Sequence, residues 1–148
     1  YRDTTVHAYV HDERAFYLNG VAGHAGLFSS GRDLAIFAQM LLNDGWYAGK
    51  RYLKASTIEQ FTKRQSKQSN RGFGWDRKSE GFSTAGSLTS QKTFGHLGFT
   101  GTSFWVDPEN NLAVIVLTNR TYPHRSYGEN ISEIRSEIAD AVMKAIIK

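Results

Sequence analysis

Apolar residues recur at helical spacing in two separate stretches of the chain. Residues 34–42 place apolar side chains three or four positions apart, and Ser30 with Asp33 precedes them as a capping pair. This helix is predicted to end at Asn43-Asp44-Gly45, because glycine accepts the left-handed conformation of a helix C-terminus. A second helix is predicted from Asn130 to Ile147. Its predicted buried stripe consists of Ile131, Ile134, Ile138, Val142, Ala145 and Ile146.

Alternating and continuous apolar runs predict strands between these helices. Residues 102–106 alternate, residues 107–111 have turn composition, and residues 112–118 are almost continuously apolar. The continuous run predicts a strand that is central in its sheet. Residues 72–76 predict one more strand. The pattern as a whole predicts an α+β fold, in which an antiparallel sheet is flanked by helices.

Shorter elements are also predicted. Residues 46–53 indicate a small hairpin that turns at Ala48-Gly49. Residues 56–62 indicate a short helix, with Ile58 and Phe61 facing inward.

The first 28 residues predict no regular structure. A glycine at every third position, Gly20, Gly23 and Gly26, predicts a tightly folded loop. Its remaining side chains are largely apolar, so the loop is predicted to be buried. Neither a repeat nor a domain boundary is visible, and residues 1–148 are interpreted as a single, incomplete domain that starts at Tyr1 without a Met.

Composition narrows the classes of function. The chain has 148 residues, 40% of them hydrophobic and 22% charged, which is ordinary for a globular domain. Its apolar runs are shorter than a transmembrane helix requires. The absence of cysteine excludes disulfides and a cysteine nucleophile. The net charge of +4 comes largely from residues 63–78, which are predicted to be a solvated linker without the interleaved aromatic residues of a nucleic-acid site. We therefore expect no nucleic-acid partner.

The histidines outside residues 94–103 do not indicate a metal site. His7 and His11 are four positions apart, but Ala8 stands where a helical zinc motif needs glutamate, and the segment between them favours an extended chain. His124 lies in a polar loop. His24 lies in the glycine-rich loop, where a structural role is favoured over catalysis. We expect no metal and no cofactor.

Residues 94–103 carry the most informative pattern. His96 lies between glycines at the start of a predicted hairpin, and glycine lets another group approach the backbone closely. Such a strand can line a site where an oxyanion forms. A plain hairpin with a surface histidine is an equally good interpretation of these ten residues. The chain contains neither a Ser-x-x-Lys pair nor a Gly-x-Ser-x-Gly elbow that would supply a nucleophile.

Two segments together resemble one family. Residues 10–42 and residues 94–120, in this order, resemble the C-terminal part of the serine β-lactamase-like family, which includes class C β-lactamases, DD-peptidases and esterases. His96-Leu97-Gly98 looks like the third active-site motif of that family, in the branch with histidine in place of lysine. The segment Tyr17-Leu18-Asn19 is not a substitute for the Tyr-x-Asn motif, because it falls in the part that follows that motif.

The resemblance implies acyl transfer through a serine, followed by hydrolysis of the acyl group. His96 would replace the lysine of the third motif, and the amide of Phe99 would form half of the oxyanion hole. Gly98, Thr100 and Gly101 would bind substrate. Leu97 departs from the motif, which usually has threonine at this position. One hydroxyl contact to the substrate would therefore be lost.

The resemblance leaves two hypotheses open. In the first, this chain is the C-terminal fragment of a serine hydrolase that acts on a β-lactam, a peptidoglycan peptide or an ester, and it is inactive alone because the nucleophile is outside it. In the second, it is a degenerate, non-catalytic module that binds cell-wall material or a partner protein. Both imply the periplasm or cell envelope. If the N-terminal part of the domain is absent, we expect exposed apolar surface that could drive self-association.

Overall fold

The computed structural model describes residues 4–126 and 128–146. These residues form helices and antiparallel strands, which confirms the α+β prediction. Residues up to Ser30 make one compact unit, and residues from Gly31 onward make another. The helices are α1 (Glu13–Tyr17), α2 (Gly31–Leu42), α3 (Ala55–Thr62) and α4 (Ile131–Ile146). The strands are β1 (Trp46–Tyr47), β2 (Lys50–Arg51), β3 (Asp76–Arg77), β4 (Phe94–Leu97), β5 (Ser103–Asp107) and β6 (Leu112–Val116).

The first unit corrects two predictions. It contains the short helix α1, capped by Asp12, whose carboxylate accepts the backbone N–H of Ala15 at 2.8 Å. The glycine-rich loop is exposed rather than buried, with Leu27 fully exposed and Phe28 68% exposed. A unit this small has little interior, so most of its apolar side chains remain on the surface.

The helix α2 and the hairpin after it form as predicted. Gly45 ends the helix with φ of +89°, and its N–H donates to the carbonyl of Met40 at 2.9 Å. Strands β1 and β2 turn at Ala48 and Gly49, which both have positive φ, as a two-residue hairpin requires.

The main sheet is antiparallel, in the order β3-β4-β5-β6. Among the described strands β6 therefore lies at an edge, and the prediction of a central strand is wrong. Its continuous apolar run has another cause, because α2 and α4 both pack against it. Helices rather than neighbouring strands cover these side chains.

The core lies between α2 and one face of the sheet. In the register, Phe94 pairs with Val106, and His96 pairs with Phe104. Since side chains alternate along a strand, these four residues share one face. Phe94 and Val106 pack in a buried cluster with Ala38 and other residues of α2. His96 thus stands on the same face as the core, at the end of β4.

The predicted strand over residues 72–76 is mostly a turn. Arg71 and Asp76 form a bridge, Gly72 donates to the carbonyl of Trp75 at 2.9 Å, and only Asp76–Arg77 continues as β3 among the described residues. The helix α3 forms over nearly the predicted residues. Phe61, however, is 46% exposed, because its ring contacts the exposed ring of Phe73 rather than the core.

The buried face of α4 differs from the predicted stripe. The buried residues are Arg135, Ala139 and Met143, whereas Ile134 is 42% exposed and Ile146 is 55% exposed. Residue 147, where the helix was predicted to end, lies outside the described residues. This face of α4 is buried because Arg135 donates hydrogen bonds to backbone carbonyls in the turn between β4 and β5.

The basic segment is not a simple solvated linker. Arg64 donates to the carbonyls of Ser66, Lys67 and Ser69 and so closes its own loop. Lys78 is only 6% exposed, and its ammonium donates to the carbonyls of Ser87 and Thr89. Side-chain cations thus satisfy backbone oxygens that regular secondary structure would otherwise pair.

Candidate functional site

The turn between β4 and β5 is closed by its own backbone. Gly98 donates to the carbonyl of Thr102 at 2.8 Å, and Gly101 donates to the carbonyl of Gly98 at 3.0 Å. A Cβ on Gly98 would lie 2.1 Å from Thr102 Oγ1, so glycine at that position leaves room for the Thr102 hydroxyl. Gly101 has φ of +124°, and a Cβ there would lie 2.5 Å from Thr118 Oγ1.

Arg135 holds the turn from the side of α4. Its Nη2 donates to the carbonyls of Gly98 and Thr102, both at 2.8 Å, and its Nε donates to Gly101 at 3.2 Å. The side chain is almost wholly buried. Burial, together with the positive charge of Arg120, lowers the pKa of Arg135.

Arg120 holds the next stretch of the same turn. Its Nε donates to the carbonyl of Phe99 at 2.7 Å, and its backbone N–H donates to the carbonyl of Thr100 at 2.7 Å. The guanidinium also lies over the Phe99 ring, 4.4 Å from its centroid, and Arg125 lies 4.9 Å from the same centroid. The Phe99 side chain therefore contacts two cations while it stays 55% exposed.

These contacts fix where the amides of the turn point. In a trans peptide the carbonyl and the following N–H point in opposite directions, and the cis bond in the described residues is elsewhere, at Tyr122-Pro123. The carbonyl of Gly98 points at Arg135, so the N–H of Phe99 points away from Arg135. Likewise the carbonyl of Phe99 points at Arg120, and the N–H of Thr100 points away from that guanidinium. The two arginines therefore fix the directions of the N–H groups of Phe99 and Thr100.

His96 lies two residues before the turn and is exposed. Its Nδ1 is 2.9 Å from the carbonyl oxygen of Leu97, and its Nε2 is 3.1 Å from Nη2 of Arg71. Arg71 in turn pairs with Asp76, at 2.8 Å between Nη1 and Oδ1. The imidazole is thus joined to a cation and a carboxylate on the neighbouring segment of the sheet.

A cavity of about 230 Å³ lies beside this group of side chains. Trp105 lines it, and the indole Nε1 of this buried residue has no hydrogen-bond partner in the described part of the chain. The other lining residues are Asn70, Arg71, Asp76, Arg77, Ser79, Ser83, Thr84 and Leu97.

In the first unit, His24 has a structural partner. Its Nε2 lies 2.8 Å from Oδ1 of Asp12, the oxygen that also accepts the N–H of Ala15. The Ala15 amide and then His24 lower the pKa of Asp12. His24 therefore ties the glycine-rich loop to the start of α1, which agrees with the structural role favoured from the sequence.

The predicted site residues His96, Gly98, Phe99, Thr100 and Gly101 all lie at the end of β4 or in its turn. The roles assigned to them remain predictions. Gly101 is buried within the turn, and its carbonyl accepts bonds from Arg135 and Thr118. The sequence analysis missed Arg71 and Arg135. Arg135 could have been suspected as a charged residue in register with Ala139 and Met143, but nothing local marks Arg71.

The described residues contain neither a metal-binding cluster nor a membrane-spanning helix. Within residues 4–126 and 128–146, histidine and carboxylate side chains form no group of three or more that could hold a metal ion. No helix in this part of the chain is both long and apolar enough to cross a membrane.

Comparisons with known proteins identify the family. The family model described as Beta-lactamase matches residues 1–138. The chain therefore belongs to the Beta-lactamase family, which confirms the resemblance carried by residues 10–42 and 94–120.

Relatives and solved structures agree with this assignment. A Salmonella gallinarum protein named "Putative D-alanyl-D-alanine carboxypeptidase" is 42% identical over 126 residues, and a Salmonella newport protein of the same name is 41% identical. Each alignment covers 83% of this chain and 29% of the relative, so the chain spans less than a third of their length. A beta-lactamase structure from Mycobacterium bovis is 28% identical with a TM-score of 0.66, over 84% of this chain and 47% of that one.

Proposed function

We propose that residues 1–148 are the C-terminal part of a serine hydrolase that works through an acyl-enzyme, with the nucleophile on residues outside this chain. The orientation of the turn at residues 98–102 carries the proposal. Arg135 and Arg120 hold its carbonyls, so the N–H of Phe99 points away from Arg135. A preorganised backbone donor of this kind stabilises the oxygen of a tetrahedral intermediate.

The reaction would follow the usual course of serine acyl transfer. The serine oxygen attacks the acyl carbon of the substrate and gives its proton to a general base, and the leaving amine or alcohol takes up a proton. The carbonyl oxygen becomes negative, and the N–H of Phe99 donates to it. Water then attacks the acyl-enzyme and releases the acid. His96 would bind or orient substrate at the end of β4.

The charges near the turn favour an anionic substrate. Arg71, Arg120 and Arg125 lie around His96 and Phe99, and the Arg71 side chain is about half exposed. A peptide that ends in D-alanyl-D-alanine and a β-lactam both carry a carboxylate, whereas a simple ester does not. The names of the Salmonella relatives support the peptide. We propose such peptidoglycan-derived peptides as substrates and the periplasm or cell envelope as the location.

The exposed apolar side chains support the proposal that another part of this domain lies outside residues 1–148. In the second unit Phe37, Trp46 and Phe73 are each at least 40% exposed. We propose that the N-terminal part of the same domain covers such side chains in the whole protein. Light scattering on residues 1–148 alone should show self-association, and a monodisperse monomer that binds no hydrophobic dye would count against this.

The test is acylation by a fluorescent penicillin, followed by intact-mass measurement. The natural full-length product that contains these residues should be labelled at one serine of a Ser-x-x-Lys motif, and it should release D-alanine from a D-alanyl-D-alanine peptide. Residues 1–148 alone should not be labelled, and a burst of labelling on them would refute the assignment. A full-length product without that motif, or without labelling, would support the non-catalytic module instead.

A further inference from the structure

Two hydrogen bonds assign the tautomer of His96. A guanidinium has only donors, so Arg71 Nη2 must donate to Nε2 of the imidazole. A carbonyl oxygen only accepts, so Nδ1 must donate to Leu97. Both contacts are satisfied by the same form of the ring, the neutral tautomer with its proton on Nδ1.

Arg71 is itself fixed by its surroundings. One nitrogen of its fork pairs with Asp76 Oδ1 at 2.8 Å, while the other faces His96. Arg71 and Asp76 also form a backbone bridge, and Asp76 pairs with Gly95 in the sheet. The guanidinium is therefore held beside β4 by backbone pairing and by a carboxylate.

We propose that Arg71 is a positioning residue for His96. It holds the imidazole in the Nδ1–H tautomer and places a permanent positive charge beside it, while Asp76 fixes the guanidinium. In this arrangement Arg71 acts through the imidazole, whose Nε2 is held as an acceptor. The proposal rests on the proposed function only where it assigns His96 a part in acyl transfer.

The tautomer can be measured directly. In full-length protein labelled with ¹⁵N-histidine, at a pH above the ordinary histidine titration range, long-range ¹H–¹⁵N spectra distinguish the two ring nitrogens. We expect His96 to show a protonated Nδ1 and an unprotonated Nε2. In Arg71→Gln and in Asp76→Asn the signal should move toward the other tautomer, because the guanidinium that faces Nε2 is removed in the first variant and released in the second.

Lys67→Gln provides the matched control, since Lys67 is an exposed cation of the same segment. It should leave the His96 signals unchanged, and His96→Gln identifies those signals by removing them. A wild-type His96 that carries its proton on Nε2, or a tautomer that Arg71→Gln does not change, would overturn the proposal.

A double-mutant cycle tests the effect on chemistry. Arg71→Gln should lower kcat/KM for acylation at least about tenfold, since a wrongly held imidazole can cost far more. In a His96→Gln background the same change should cost no more than about twofold, because both residues act through one ring. Additive losses, or unchanged acylation by Arg71→Gln, would overturn the positioning role. If the wild type is not acylated at all, the proposed function fails, while the tautomer measurement still decides whether Arg71 holds His96.

Discussion

Arg135 Nη2 donates to the carbonyl oxygen of Gly98 at 2.8 Å, across 37 positions of sequence. The contact joins α4 to the turn that follows β4. Because that carbonyl shares its peptide plane with the N–H of Phe99, a side chain on the last helix sets the direction of the proposed oxyanion donor.

Replacing Arg135 with methionine should destabilise the fold. The substitution keeps much of the apolar stem but leaves the carbonyls of Gly98 and Thr102 without a side-chain donor, while Gly101 keeps only that of Thr118. We expect the free energy of unfolding to fall by about 2–4 kcal/mol, since bonds from a charged donor contribute more than neutral ones. Urea unfolding monitored by circular dichroism measures the change.

The matched control for this prediction is Lys144→Met on the same helix. Lys144 is exposed, so its replacement should change the free energy of unfolding by less than about 0.5 kcal/mol. Equal losses for the two variants would contradict the anchoring role of Arg135.

The turn should not tolerate alanine at Gly98. The added Cβ would meet Thr102 Oγ1 at 2.1 Å, so Gly98→Ala should lower stability by about 1–3 kcal/mol. Removing the hydroxyl relieves this clash, and the same substitution in a Thr102→Ala background should cost less than about 1 kcal/mol. Thermal unfolding of the two single variants and the double variant gives the coupling free energy between the substitutions. Strictly additive losses of stability would show that the clash with Thr102 does not cause the loss in Gly98→Ala.

Asp107 should make stability depend on pH in the acid range. Burial opposes ionisation of this carboxyl, but hydrogen bonds from Ser90 and Asn110 outweigh it and lower the pKa below the ordinary value of 3.8. Because the folded-state pKa is the lower one, the contribution is present at pH values above 3.8 and is lost as the pH falls through the folded-state pKa.

The matching variant is Asp107→Asn. It should be less stable than wild type by at least about 1.5 kcal/mol near neutral pH, since it turns an amide donor toward the Ser90 and Asn110 donors. The gap should narrow as the pH is lowered below 3.8 in denaturation series. A gap that stays constant or widens toward acid would contradict the assigned direction of the pKa.

In the first unit, Asp12 should protect the amide of Ala15. Its carboxylate accepts that N–H directly, and His24 contacts the same oxygen. Asp12→Ala should therefore speed hydrogen exchange at Ala15 strongly, and His24→Gln should speed it less. Exchange at Ala15 that is unaffected by either variant would show that the cap is not formed in solution.

Local patterns predicted the elements whose causes are local. The helix from Gly31 to Leu42 and the hairpin at Ala48-Gly49 follow from capping residues and from glycines with positive φ. The strand that begins at Ser103 follows from its alternation. The placement of His96 and Phe99 at the end of β4 also agrees with the sequence pattern.

The failures lie where distant partners decide the outcome. The buried face of α4 is set by Arg135 and the turn carbonyls, which the spacing of isoleucines cannot reveal. The burial of Lys78 depends on the carbonyls of Ser87 and Thr89 in another loop. The contact of Arg71 with His96 spans 25 positions of sequence. The sequence alone therefore does not distinguish Arg71 from the other basic residues of its segment.

The most direct test of the account removes one backbone donor without changing a side chain. In the natural full-length product, an amide-to-ester replacement at the N–H of Phe99 should slow acylation by a fluorescent penicillin by about 10²–10³, the usual cost of losing one oxyanion donor. The same replacement at Glu109, in the exposed turn before β6, should leave acylation unchanged. Equal acylation rates for the Phe99 ester and the unmodified protein would contradict the assignment of this turn to the oxyanion site.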